Sequence, residues 1–204
     1  MAKKTPTKQL YDTLDKAFNH FNRTLFSGDL PPALITVARK RGAHGYFWAN
    51  VFKDRGEGKA KLDEICLNPD GMNRDAAIVI STLAHEMAHH WQQHHGKPGK
   101  GPYHNKQWVE KMLEIGLQPI SPNGKGTGTK VGHEIIEDGA FEKSFATLKD
   151  ARLDWASVPR RGDVRPQSRH KIVCPDCGQK VWGTDKNSLV CGECNVPMKK
   201  EGEE

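Results

Sequence analysis

Long apolar runs are missing from this chain. No stretch approaches the ~18 residues that a membrane span requires, so no transmembrane segment is expected. The opening residues, MAKKTPTKQL, carry basic side chains but no apolar segment, and a secretory leader is not expected either. Aromatic residues are 7% and hydrophobic residues 36% of 204, with a mean hydropathy of -0.72. That is less apolar than a typical globular domain, so the core must be compact and the loops polar. Cysteine is scarce too. Of the five, four lie in two Cys-x2-Cys pairs, Cys174/Cys177 and Cys191/Cys194. Without a leader, that pattern reads as a metal site and not a disulfide framework. Cys66 stands alone in the apolar run Ile65-Cys66-Leu67, where a buried inert thiol is expected.

What the chain has in excess is positive charge, +6 in total. Residues 1–61 hold 12 Lys/Arg against 5 Asp/Glu, whereas residues 62–120 hold 5 against 7. A second basic run, Arg160, Arg161, Arg165, Arg169 and Lys171, follows at 160–171. Such excess favours polyanion partners, nucleic acid first. The arginines and Lys171 are candidate phosphate contacts, as is Arg39-Lys40-Arg41.

The pattern predicts a helix over 6–26, capped by Thr5 with Pro6 at its first position, and Leu10, Leu14, Phe18, Phe21 and Leu25 on one face. Strands are expected over 34–39, 45–52 and 61–68. A long helix is expected over 74–95 from an Asn73 cap, burying Ile78, Leu83, Met87 and Trp91. A shorter helix over 105–115 follows, then a Gly-rich loop over 121–132.

The long helix carries His85-Glu86-Met87-Ala88-His89. Residues four apart share a helix face, so both imidazoles can meet one metal ion. Glu86 can reach a metal-activated water without ligating the metal, accept its proton and pass it to a leaving amine. A catalytic zinc needs a third protein ligand. His95 lies ten residues after His85, but a ligand there needs a helix-breaking glycine where Gln92 stands. Glu110, Glu114 and His104 also stand within range, and spacing does not choose between His104 and Glu110. His90, His94 and His95 are expected as solvated side chains at the helix end. Tyr46, Tyr103 or a nearby histidine could stabilise an oxyanion.

The four cysteines fit a closed tetrahedral zinc site, with Gly178 and Asn195 placed where each turn needs positive φ. A hairpin is expected between Lys180–Thr184 and Ser188–Val190, giving a zinc ribbon with Trp182 in its small core.

Several of these segments resemble the SprT-like zinc metalloproteases, whose relatives include Spartan. The resemblance rests on Leu25-Phe26-x3-Leu30-Pro31, the aromatic strand from Gly45 to Trp48, and Glu64-Ile65-Cys66-Leu67-Asn68. It continues through Thr82 to His89 with Trp91-Gln92 following. The segment Gly101-Pro102-Tyr103-His104-Asn105-x2-Trp108 is similar to the bacterial and phage branch. The resemblance implies that His104 is the third ligand of a catalytic zinc held with His85 and His89, and that Glu86 is the catalytic base. It further implies an α+β zincin-like domain over 5–150, a basic linker over 151–170 and a C-terminal zinc ribbon over 171–198. Two zinc ions are then expected, one catalytic and one structural on Cys174, Cys177, Cys191 and Cys194. Substrates would be proteins on or near DNA, with DNA as a partner and no membrane. The setting would be cytoplasmic, at a nucleoid or in a phage-infected cell. The competing reading is a non-catalytic nucleic-acid-binding zinc protein accessory to transcription or replication.

Overall fold

A computed structural model describes residues 5–56, 60–149, 152–158, 170–184 and 188–201. The chain divides into two units, Met1–Val158 and Pro159–Glu204.

The first unit mixes helices and strands. Helix α1 (Pro6–Leu25) starts where Thr5 accepts a hydrogen bond from the Lys8 amide, and it buries Leu14, Ala17, Phe18, Phe21 and Leu25. This is the apolar stripe that the three- and four-residue spacing predicts. Strands β1 (Ala33–Val37), β2 (Gly45–Lys53) and β3 (Lys61–Leu67) form one sheet in the order β1-β3-β2. The central strand β3 pairs parallel with β1 and antiparallel with β2. Being central, β3 buries five consecutive residues, Asp63 to Leu67, and two of them are acids. The ladder between β2 and β3 shifts register between Trp48 and Phe52. At that bulge Asn50 has φ 57° and its amide donates to Asp63 Oδ1 at 2.7 Å.

After β3, Asn68 donates from Nδ2 to the carbonyls of Lys40 and Ala43, both at 2.8 Å, and so pins the β1–β2 loop. Helix α2 (Ala76–His95) then runs through the middle of the unit, buried nearly all round from Val79 to Ala88. It begins two residues later than expected, because Asp75 and not Asn73 caps it by accepting from the Ala77 amide at 2.8 Å. Arg74 is turned back onto the Gly71 carbonyl instead of entering the helix. Ile78, expected in the buried stripe, is 44% exposed. With so many apolar residues in this helix, the three-residue spacing did not single out the buried face.

Helix α3 (Lys106–Glu114) is capped by Asn105, which accepts from the Trp108 amide. Three elements that the sequence did not reveal follow it. Strands β4 (Leu117–Ile120) and β5 (Gly132–Ile135) pair antiparallel, and α4 (Ala140–Thr147) packs on α1. The Ser144 carbonyl meets His20 Nε2 at 2.9 Å, and its hydroxyl meets Thr24 Oγ1 at 2.6 Å.

In the second unit, β6 (His170–Val173) is flanked by β7 (Lys180–Gly183) and β8 (Lys199–Lys200), both antiparallel to it. The expected hairpin is therefore corrected. β7 pairs with the strand before the first cysteine pair, while Val190 makes only an isolated bridge to Pro197. Trp182 is 66% exposed and not in the core, whose buried side chains include Ile172, Cys174 and Cys191. Strand alternation explains this, since Trp182 shares a face of β7 with Lys180 and both point to solvent.

Candidate metal centres

His85 and His89 lie one turn apart on α2, and His104 stands just before α3, where its backbone bridges to Gly128. One ring nitrogen from each of the three lies within 4.8 Å of the others. The hydrogen bonds around them determine which nitrogens are free.

His104 Nδ1 lies 2.9 Å from the Gly128 carbonyl, which can only accept. Nδ1 must therefore carry the proton of a neutral ring, leaving the Nε2 lone pair free and 3.0 Å from His89 Nε2. The same Gly128 oxygen accepts from the His104 amide at 2.8 Å. Gly128 has φ 122°, a backbone that a side chain would strain. The Gly-rich stretch is thus a clamp on His104 as well as a connection.

The second relay passes through His133, which the sequence analysis did not single out. Ser81 donates its hydroxyl proton to the Ile78 carbonyl at 2.9 Å, so its oxygen accepts from His133 Nε2 at 2.8 Å. His133 Nδ1 is then an acceptor, and it faces His85 Nδ1 at 3.0 Å. His85 donates from Nδ1 and keeps Nε2 for a metal. A ligating histidine commonly gives its other N–H to a neighbouring acceptor, which fixes tautomer and ring orientation. No spacing rule could have found His133, which is 48 residues from its partner in a short strand.

Trp108 floors the site. Its ring stacks on His89 at 5.0 Å between centroids and meets His104 edge-on at 4.3 Å and His85 at 4.8 Å. Its indole N–H is buried without a hydrogen-bond partner among the described residues. Burial disfavours the charged imidazolium, so His85 titrates well below its ordinary range, His89 at about 3 and His104 below its usual value. Three neutral imidazoles presenting lone pairs to one point are the donor set that zinc takes in a site with an open position. The residues present therefore fit the ion.

Glu86 sits beside them, buried on α2. Burial pushes its carboxyl up to about 8, against the pull of the Lys40 ammonium. Gly45, at the start of β2, makes room for it. A Cβ there would lie 2.9 Å from Glu86 Oε1 and 2.9 Å from the Cys66 carbonyl.

The other ligand candidates are engaged elsewhere. His95 Nε2 donates to the Asp29 carbonyl, and Glu110 and Glu114 pair with Lys106 and Lys111. His90, expected in solvent, is fully buried, with His94 and Asp63 against it. The neighbouring Cys66 thiol, burial and the Glu64 carboxylate hold the Tyr46 hydroxyl above its ordinary range.

In the second unit the Sγ atoms of Cys174, Cys177, Cys191 and Cys194 also lie within 4.8 Å of one another, and no disulfide joins them. The two cysteine turns repeat one design. Gly178 and Asn195 take φ 73° and 54° as expected, and their amides return to the carbonyls of Cys174 and Cys191. Backbone N–H groups of Cys177 and Asp176 draw the Cys174 thiol down to about 7, while the neighbouring Cys177 thiol pushes Cys194 up to about 12.

Arg160, Arg161, Arg165 and Arg169 lie outside the described residues. Lys171 sits on β6 with its ammonium 3.4 Å from the Glu201 carboxylate. Lys40 lies over the rings of Tyr46 and Trp48, at 4.4 and 5.4 Å. Among the described residues no helix is long and apolar enough to cross a membrane.

A sequence model of the SprT-like family matches residues 14–131, more than half of the chain, from the middle of α1 to the threshold of β5. A curated protein of Salmonella typhimurium, described as an uncharacterized protein in the mucB 3' region, is 42% identical over 65 residues. That match covers 32% of this chain and 86% of the relative. No solved structure gives a significant match.

Proposed function

The chain belongs to the SprT-like family, and on that footing we propose that it is a zinc-dependent metalloendopeptidase acting on proteins associated with DNA. The observation that carries this reading is the paired relay around the three histidines. Gly128 and His133 leave His104 Nε2 and His85 Nε2 free beside His89, with Glu86 buried next to His85 on the same helix.

A zinc ion on His85, His89 and His104 would lower the pKa of a water towards ~7 and polarise the scissile carbonyl. Glu86 takes a proton from that water as its oxygen adds to the peptide carbonyl carbon. The same carboxyl then gives the proton to the amide nitrogen as the C–N bond breaks, so the water is divided between the two products. Burial gives Glu86 its high proton affinity, and a cation held by the three imidazoles would draw that affinity back towards the working pH. Trp108 keeps water from the back of the histidines. Lys40 adds positive charge near Glu86 and, with Tyr46 and Trp48, a cationic aromatic surface.

Cys174, Cys177, Cys191 and Cys194 would hold a second, structural zinc as a zinc ribbon. The DNA association is supported by the basic excess of residues 1–61 and by the run Arg160, Arg161, Arg165, Arg169 and Lys171.

The test is cleavage of a basic DNA-binding protein by the zinc-loaded full chain, with and without single-stranded DNA and with a chelator. Chelator-sensitive cleavage that DNA stimulates is expected. No cleavage by protein carrying both zinc ions, together with salt-sensitive DNA binding, would favour the accessory-protein reading instead. Cleavage with a flat dependence of DNA affinity on salt would retain the peptidase and remove the DNA role.

A further inference from the structure

Behind the three-histidine site, on the sheet side of α2, a second group of donors converges. Asp63 Oδ2 on β3 lies 2.9 Å from His90 Nδ1 and 2.7 Å from His94 Nε2, and the three donor atoms lie within 4.8 Å of one another. His90 and His94 are four apart on α2, the same spacing as His85 and His89. We propose that Asp63, His90 and His94 form a separate binding site for a divalent transition-metal ion, zinc being the natural probe.

His90 is engaged through both ring nitrogens. Its Nε2 is 3.0 Å from the Pro31 carbonyl, which can only accept. A neutral ring must put its one proton on Nε2, and its Nδ1 lone pair then faces the Asp63 carboxylate. Two acceptors at 2.9 Å repel unless a cation stands between them. A metal ion satisfies Nδ1 and Oδ2 together and uses His94 as well.

The surroundings are those of a metal ligand set. The Pro31 carbonyl fixes the tautomer of His90, and the Asn50 amide holds the other oxygen, Asp63 Oδ1, at 2.7 Å. The bulge in β2 exists at the residue that makes this second contact. The rings of Phe18 and Phe47 wall His90 at 6.3 and 5.6 Å. The His94 side chain is 36% exposed, so an ion can reach the group and water can complete its coordination. Donors at ~2.0–2.2 Å from a tetrahedral zinc stand roughly 3.3 Å apart, so the two contacts need open by only about half an ångström. Two imidazoles and one carboxylate suit zinc and its first-row neighbours better than magnesium or calcium. Such an ion would tie β3 to α2 at the residue next to His89.

The experiment counts bound zinc by mass spectrometry on the purified full chain after dialysis against a zinc buffer. Three ions per chain are expected. His94→Ala should lose one and keep two, since a half-exposed residue in the last turn is a mild substitution. Asp63→Asn, checked for folding by circular dichroism, should lose the same ion. In His85→Ala/His89→Ala the count should also fall to two, with the His94-dependent ion retained, so this site and the three-histidine site stand or fall separately. A count unchanged by His94→Ala, whether two or three, overturns the proposal and leaves an imidazolium–carboxylate pair.

Discussion

His133 faces His85 across 3.0 Å, Nδ1 to Nδ1, with the Ser81 hydroxyl behind it at 2.8 Å. The contact joins the β4–β5 hairpin to the helix that carries the metal-binding motif. It orients one imidazole without itself being one of the three candidate ligands.

His133→Ala should therefore weaken zinc at the three-histidine site by about 10–100-fold, as loss of a partner behind a ligand commonly does. Chelator competition measures this. Helix content should not change, because His133 is only partly buried on a short strand. An unchanged affinity would mean that His85 is held by its helix alone.

Gly45→Ala is the sharpest test of how Glu86 is placed. The added methyl would lie 2.9 Å from both Glu86 Oε1 and the Cys66 carbonyl. The carboxylate can move but the strand carbonyl cannot, so the variant should lose proteolysis by at least ~10-fold while keeping its zinc. Overpacking of this kind costs about 1–3 kcal/mol of stability, readable by denaturant titration.

Trp108 should separate packing from hydrogen bonding. Trp108→Ala removes the floor beneath three imidazoles and should cost about 3–5 kcal/mol. Trp108→Phe keeps a ring and removes a buried N–H that has no partner among the described residues, so it should cost much less. Equal losses would show that the indole nitrogen has a partner in solution.

The pH dependence of the chelated, metal-free protein should report Glu86. Its carboxyl sits at about 8 in the fold against an ordinary 4.5. Between those values the native state holds a proton that the unfolded chain releases. Its contribution is thus full below pH 4.5 and is lost as pH rises through 8. His89 and His133, lowered to about 3 and about 4, act in the opposite sense between those values and 6.5, but are common to parent and variant. Unfolding of the parent beside Glu86→Gln should show the variant gaining relative stability across pH 4.5–8, by roughly a few kcal/mol. A constant difference across that window would place Glu86 in contact with water.

Much of this architecture is legible in the residues. Thr5 and Pro6 specify the start of α1, and the stripe from Leu14 to Leu25 specifies its buried face. The four-residue spacing specifies that His85 and His89 share a side of α2. Three features are not local and could not be read. Gly128 and His133 act on histidines 24 and 48 residues away, through contacts that only the folded hairpin creates. His90 looks like one more polar residue at a helix end until β3 brings Asp63 to it. Trp182 looks like a core residue in a small module, and only the register of β7 on β6 turns it outward.

The most direct test of the account is proteolysis by Glu86→Gln beside the parent, both shown to carry the same zinc. The account predicts a fall of at least ~10²-fold in cleavage of a DNA-binding protein, with metal content unchanged, since a residue that only moves protons is lost. Cleavage at the parent's rate by a zinc-replete Glu86→Gln would contradict it.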